Sequence, residues 1–435
     1  MTLAIVITFL LGYLFITLEG NLKVNKTAIA LLLSVVLWTL YTISSGSYLP
    51  EEETFSDMFL KHVGDTSEII FFLLGAMTIV EVVDLNGGFN FVRNKLASKT
   101  KHSLLWKIIF ITFILSAILD NLTTSIVMIM VLRKLVKHRE TRMLYCGMII
   151  ISANAGGAFS PIGDVTTIML WIKGNITSFG VIKELILPSL LTILIPGIVL
   201  HFRLRGKLQD LQDDDEPVEQ YDFSLTQRNV VFYVGVGGLV FVPIFKGLTG
   251  LPPFMGVILV LSLLWIITEC FYNSRKIENN RAMRVSRVLK NIDMSTILFF
   301  LGILMAVAAL EETGVLHTFG RSLDTFTQGN HYLVNGIIGV ASSIVDNVPL
   351  VASCMGMYTI GATPDFAQDG IFWQLLAYCA GTGGSILIIG SAAGVVVMGL
   401  EKISFGWYLK HFSLLALIGM LTGMLIYYVQ RVLFF

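Results

Sequence analysis

Long apolar runs separated by short polar connectors occupy most of this chain. Ten of them approach the length of a bilayer-crossing helix, at 2–19, 27–45, 67–84, 143–172, 181–200, 229–246, 254–272, 293–310, 371–399 and 412–430. A bilayer core needs roughly 20 mostly apolar residues per helix. Two further apolar segments, 108–132 and 333–360, break the pattern. Each carries an Asp-Asn pair near its middle, Asp120-Asn121 and Asp346-Asn347. An Asp at a helix centre costs about 2.5–3.5 kcal/mol on insertion. Each segment is also too short to cross twice as full helices.

Charge placement predicts what these two segments do. Arg93, Lys95, Lys99, Lys101 and Lys107 precede 108–132, and Arg133, Lys134, Lys137, Arg139 and Arg142 follow it. Basic loops face the cytoplasm, so both ends belong on that side and the segment is a re-entrant hairpin. The flanks of 333–360 carry Glu311, Glu312, Asp324, Asp365 and Asp369, with Arg321 as the single Lys or Arg. That hairpin is expected to enter from the outside. The same rule puts both termini outside the cytoplasm.

An internal repeat agrees with this layout. Ser116 to Asn121 (SAILDN) resembles Ser342 to Asn347 (SSIVDN), and Gly156-Gly157 with Gly163 resembles Gly383-Gly384 with Gly390, at an offset of 226 or 227 residues. Phe71 to Gly75 likewise resembles Phe299 to Gly302. An odd number of spans separates the matching elements, so the halves have inverted topology, as in many secondary transporters. The expected fold is an all-α polytopic membrane protein with two re-entrant hairpins and two broken helices. Residues 1–200 form the first repeat (hairpin 108–132, broken helix 143–172), 201–228 a cytoplasmic linker, and 229–435 the second repeat (hairpin 333–360, broken helix 371–399).

Composition sharpens the class. The 435 residues are 55% hydrophobic and 14% charged, against about 25% charged in soluble domains. The formal net charge of zero gives no nucleic-acid signal. Cys146, Cys270, Cys354 and Cys379 lie singly in apolar runs, without metal or disulfide spacing. The N-terminal run lacks a basic n-region and a small-residue cleavage site, so it is expected to be a retained span.

The candidate chemistry lies in polar groups at membrane depth. An intramembrane Asp is a functional candidate by default, although Asp-Asn at a hairpin tip also serves as a turn cap. The stretch from Asn154 to Thr167 puts Gly156, Gly157, Pro161, Gly163 and Asp164 inside an apolar run. It breaks the helical ladder and frees oxygens that can hold a cation. The bland alternative is a Pro kink capped by Asp164. The matching break, Gly381 to Ser385 with Gly390-Ser391, has no acid. Glu81, Asp84 and Glu311 at span ends are secondary candidates, while Glu312 reads as a solvated helix-end charge. If Asp120, Asp164 and Asp346 converge, bare carboxylates would be costly there, so sodium and protons would compete for them. No ATP site or cofactor site is evident.

At these motifs the sequence resembles the NhaD-type sodium/proton antiporters of the ion transporter superfamily. The matching strings are LLGAMTIVEVVD (73–84), SAILDNLTTSIVM (116–128), SANAGGAFSPIGDVTTIMLWI (152–172), SSIVDNVPLVAS (342–353) and AGTGGSILIIGSAAG (380–394). The resemblance implies a non-enzymatic sodium/proton antiporter, a homodimer in the cell inner (plasma) membrane, exporting sodium by alternating access, with lithium as a second candidate cargo. By motif position it implies ion-handling roles for Asp120, Asn121, Asn154, Asp164, Thr166, Thr167, Ser342, Asp346, Asn347 and Gly381. Sodium itself is expected at Asp120, Asn121, Asp164, Asp346 and Asn347. Many relatives have a histidine where this chain has Asn86, so pH sensing assigned to it does not carry over. The runner-up is a sodium-coupled carboxylate or oxyanion carrier, disfavoured because no Lys or Arg falls within the hairpins or breaks. An intramembrane aspartyl protease lacks its Gly-x-Gly-Asp here, and a channel would not couple sodium to protons.

Overall fold

The apolar runs fold as helices, because in lipid every backbone N–H and C=O must find its partner within the segment. The computed structural model describes residues 2–17, 24–43, 55–88, 96, 98, 100–204, 206, 223–274, 285–290, 292–344 and 347–434. Among them there is no β-strand. The first half contains α1 (Thr2–Thr17), α2 (Lys26–Ile43), α3 (Phe55–Leu85), α4 (Lys101–Leu119), α5 (Asn121–Leu135), α6 (Arg139–Ala158), α7 (Val165–Ile172) and α8 (Ser178–Arg203). The second contains α9 (Leu225–Thr249), α10 (Pro253–Ser274), α11 (Met294–Glu311), α12 (Val315–Thr327), α13 (His331–Ala341), α14 (Asn347–Met357), α15 (Ile371–Gly383), α16 (Ala392–Glu401) and α17 (Leu414–Phe434).

Seven of the described helices are long and apolar enough to cross a membrane, fewer than the ten runs read from sequence. The difference has local causes. The runs 143–172 and 371–399 are each interrupted, as expected, giving α6–α7 and α15–α16. Helix α1 spans only 16 described residues. Helix α3 starts twelve residues before its apolar run and carries Asp57, Lys61, His62, Asp65 and Glu68 on its first turns. Helix α4 by itself is long enough to cross, about 28 Å at 1.5 Å per residue, whereas α5 has 15 residues. The first two turns of α4 carry Lys101, His102 and Lys107, which a count of apolar residues leaves out.

Hydrogen bonds fix how the elements run. Tyr145 Oη near the start of α6 donates to Lys101 O at the start of α4 (3.0 Å). Further along both helices, Ser116 Oγ donates to Ala153 O (2.5 Å), so α4 runs parallel to α6. Arg142 donates to Val136 O and Lys137 O just beyond α5, whereas Asn121 at the start of α5 meets Asn154 near the end of α6. Helix α5 therefore runs back along α6, and α4–α5 is a helical hairpin whose tip is Asp120. The second half repeats the plan. His331 at the start of α13 and Tyr358 just past α14 both pack on Phe372 at the start of α15, and Ser342 Oγ donates to Ala380 O deep in α15 (2.7 Å).

The two hairpins open toward opposite ends of the molecule. The start of α15 is joined to the end of α7, where Thr177 N and Oγ1 donate to the Asp369 carboxylate (both 2.7 Å). At the other end, the last residue of α16, Glu401, pairs with Arg133 and Arg142 beside the start of α6 (2.5 and 2.8 Å). Helices α6–α7 and α15–α16 thus lie antiparallel with their breaks adjacent. Close packing at these crossings depends on glycine. A Cβ at Gly156 would collide with the backbone of Phe113, and one at Gly383 with the backbone of Gly339, its repeat counterpart.

Candidate cation site

Asp164 sits where the chain re-enters helix after the first break. Its extended backbone (φ −143°) makes it the N-cap of α7, and Oδ1 accepts from Thr166 N at 3.2 Å. An N-cap carboxylate satisfies one orphan donor of the helix start and meets the positive end of its dipole. Ser391 occupies the equivalent place before α16 and caps Gly394 N. The kink-and-cap reading of Asp164 is therefore correct as far as it goes, but only one of its oxygens is used that way.

The other oxygen gathers the two hairpin tips. Asn121 Nδ2, from the first tip, donates to Asp164 Oδ2 at 3.2 Å, and Asn347 Nδ2, from the second, lies 3.4 Å away. Asp164 is 1% exposed, and Asn121, Asn154 and Asn347 are buried with it. Asn154, on the last turns of α6, accepts from Asn121 Nδ2 (3.1 Å) and donates to Ser385 Oγ and Ser391 Oγ (both 2.9 Å) in the second break. One side chain thus ties a hairpin tip to both sides of the opposite break. Gly381 is its repeat counterpart and does the reverse. A Cβ there would approach Ala158 Cβ to 3.1 Å and Asp164 Oδ2 to 3.4 Å, so the missing side chain leaves room for the carboxylate.

Thr166 and Thr167, on the first turn of α7, are fully buried, and among the described residues their Oγ1 atoms have no hydrogen-bond partner. A buried hydroxyl without a partner is uncommon. Ser342 is buried but committed to Ala380 O, so it positions the second hairpin against its break. Asp346 lies outside the described residues.

Asp120 stands apart. Its two oxygens accept from Thr123 N (2.7 Å) and Thr123 Oγ1 (2.8 Å), capping α5. Its backbone adopts φ 89°, ψ 160°, a region essentially reserved for glycine and costing about 1–3 kcal/mol. It borders a small apolar cavity with Phe72, Ile118 and Leu239. Among the described residues Asp164 joins the amide cluster, while Asp120 caps the turn that delivers Asn121. No group of three or more His, Cys, Asp or Glu side chains comes together among the described residues.

The secondary candidates separate as well. Glu81 and Asp84 lie in the last turns of α3, where Arg228 binds Gly87 O (2.9 Å) and Tyr272 Oη donates to Asn86 Oδ1 (2.9 Å). Glu311 closes α11 and borders a large cavity. Sequence reasoning passed over Ser385 and Ser391 as site members. The repeat offset held the signal, because Ser391 is the counterpart of Asp164.

Among the described residues the donor set is one carboxylate with amides and hydroxyls. Divalent ions are bound by several carboxylates or carbonyls at once, so this set suits a singly charged hard cation better. Bases on the surrounding helices have partners of their own: Arg133 and Arg142 pair with Glu401, Lys173 with Asp65, and Lys246 donates to Trp171 O.

The profile of the family described as citrate transporter matches residues 13–374. Sodium/proton antiporter 1 of Arabidopsis thaliana is 45% identical across 98% of this chain and 72% of its own. Sodium/proton antiporter 2 of the same plant is 43% identical across 96% of this chain and 97% of its own. The Na(+)/H(+) antiporter NhaD of Vibrio cholerae is 29% identical across 94% of this chain and 87% of its own. The chain belongs to the NhaD-type sodium/proton antiporter family. Like other members of that family it is a multi-pass membrane protein and not an enzyme. The crystal structure of the YdaH transporter of Alcanivorax borkumensis superposes with a TM-score of 0.59 over 94% of this chain and 98% of its own, at 12% identity. That likeness concerns the fold.

Proposed function

We propose that this NhaD-type protein exchanges sodium ions for protons, and that the Asp164 carboxylate binds each in turn. One observation carries the reading: the tips of two opposed hairpins and the first helix break meet at a single buried carboxylate through Asn121 and Asn347. Both amides donate N–H to Asp164. A half-turn of either amide presents its carbonyl oxygen instead, in a shell that the unpartnered Thr166 and Thr167 hydroxyls can extend. Asp346 joins this shell in the proposal as the second tip's acid. A bare carboxylate at this depth is costly, so the site travels loaded with either a proton or a metal ion, and exchange follows from that competition.

The hairpins are re-entrant in this reading, with α4–α5 opening to the cytoplasm under the positive-inside rule. Alternating access exposes the cluster to one face at a time. The protein works as a homodimer in the cell inner (plasma) membrane, and lithium is a further cargo.

The family description favours one rival, citrate-like anion cotransport. An anion site needs Arg, Lys or several helix N-termini, and the cluster offers a carboxylate. The test is purified protein in proteoliposomes with a trapped pH dye. Sodium added against a proton gradient should collapse it, and citrate should add nothing. Citrate uptake with no sodium-driven proton movement would reverse the assignment.

A further inference from the structure

The two helix breaks follow one backbone path and differ in three side chains. A Cβ at Gly157 would meet Gly163 O and lie 3.1 Å from Asp164 Cβ. A Cβ at Gly384, its repeat counterpart, would meet Gly390 O and lie 3.0 Å from Ser391 Cβ. The main chain therefore folds back on itself in the same way in both halves, and the counterpart tips bring Asn121 and Asn347 to it. What departs from the repeat is a set of aligned positions. Asn154, Ala158 and Asp164 in the first half stand against Gly381, Ser385 and Ser391 in the second.

These three exchanges meet in space. Asp164 Oδ2 receives Asn347 Nδ2, and Gly381 leaves open the space beside that oxygen. Ala158, bordering the same space, offers no polar side-chain atom. In the other half the equivalent space is filled. The amide of Asn154 lies between Ser391 and Asn121, the counterparts of Asp164 and Asn347. Its Nδ2 donates to Ser391 Oγ and Ser385 Oγ, and its Oδ1 accepts from Asn121 Nδ2. The side chain is fully buried, and Ser385, in place of Ala158, supplies the second acceptor that an NH2 group needs. Among the described residues none of Asn154, Ser385 and Ser391 hydrogen-bonds to a carboxylate.

We propose that the internal repeat builds two cation places and that the Asn154 amide fills the second, so that each chain carries one sodium ion per cycle. The inference rests on the antiport reading above and fixes its ion count. The NH2 group turns its two hydrogens toward oxygens that would otherwise face an ion. Being tethered, it reaches them in an intramolecular step, at an effective concentration that dissolved sodium has to outcompete. Serine at the position equivalent to Asp164 removes the charge that would favour the ion. Asp164 binds the cargo, and Asn154 sets how much of it there is.

The test counts sodium ions per chain, by equilibrium binding of radioactive sodium to purified protein, with thermal unfolding as the check on folding. The wild type should bind one, and its proton flux in proteoliposomes should depend hyperbolically on sodium. Asn154→Gly, Ser385→Ala and Ser391→Asp together give the second half the set of the first, and this triple variant should bind two. Ser391→Asp alone keeps the helix cap, since Asp caps about as well as Ser, and keeps the amide in place, so it should still bind one. That variant, with the wild type, decides the matter if the triple variant does not fold. Two ions on the wild type, two on Ser391→Asp alone, or one on a folded triple variant overturns the inference and leaves the antiport reading standing. A wild type that binds no sodium and moves no protons removes the antiport reading, and this inference with it.

Discussion

Asp164→Asn and Asp120→Asn make the same chemical change at two buried turns, and the geometry assigns them different outcomes. Asp164 accepts through both oxygens: Oδ1 from Thr166 N, Oδ2 from Asn121 and Asn347. An Asn offers one acceptor, so either the cap is lost or an NH2 group faces two others. Each stranded buried donor costs about 1–3 kcal/mol. The cargo loses more. One hydrogen bond to a charged group is worth about 1.5–3 kcal/mol, and an ion contact with the carboxylate is no weaker. At about 1.4 kcal/mol per decade, sodium affinity falls roughly tenfold to a hundredfold, and the proton-binding group disappears with it. Asp120→Asn keeps nearly everything. Asn caps helices about as well as Asp, tolerates positive φ better than most residues, and can accept from Thr123 N while donating to Thr123 Oγ1. Sodium-driven proton flux in proteoliposomes, with thermal unfolding as the check on folding, should show no transport for Asp164→Asn and saturable transport for Asp120→Asn. A folded Asp120→Asn protein as inactive as Asp164→Asn would refute the division of labour between the two acids.

Other consequences can be measured directly. Glu401→Ala should cost about 3–5 kcal/mol, because it leaves the largely buried Arg142 without its carboxylate, and it should appear as a lowered unfolding temperature while Glu401→Gln loses less. Gly383→Ala should prevent normal assembly, since a Cβ would meet the Gly339 backbone, whereas Gly399→Ala, with nothing within 4 Å, should be neutral or stabilise by about 0.5–1 kcal/mol. Cysteines at positions 101 and 138 should react with a membrane-impermeant reagent from one face, and a cysteine at 365 from the other. Labelling of 101 and 138 from opposite faces would end the hairpin arrangement.

The path of the chain was legible wherever polar residues interrupted apolar runs. Asn121 and Asn347 marked the two tips, and the glycines around Asp164 and Ser391 marked the two breaks. Charged flanks predicted entry from opposite membrane faces, and the contacts of Asp369 and Glu401 put the two hairpin mouths at opposite ends of the molecule. What stayed hidden involves atoms close in space but distant in sequence. Asp120 and Asp164 look alike as buried acids, and only the φ of one and the partners of the other separate a turn-former from a cluster member. Glu401 carried no signal in the sequence, because its arginines lie more than 250 positions earlier. The early start of α3 was hidden by Asp57, Lys61, His62, Asp65 and Glu68, a charged stretch that hydropathy treats as loop. The role of Asn154 was only partly visible, since its serine partners belong to the other repeat.

Ser116 and Ser342 each fasten a hairpin to the backbone of its neighbouring broken helix, and Asn154 fastens one broken helix to the other. Four chain segments that approach from both sides are thereby riveted into one stiff block around Asp164. Under the alternating access proposed above, a block of this kind would not rebuild its coordination shell each time it turns from one face to the other. Its preference among sodium, lithium and potassium is then a property of the block, and the rank order measured from one face should equal the order measured from the opposite face, even where the absolute half-saturation values differ.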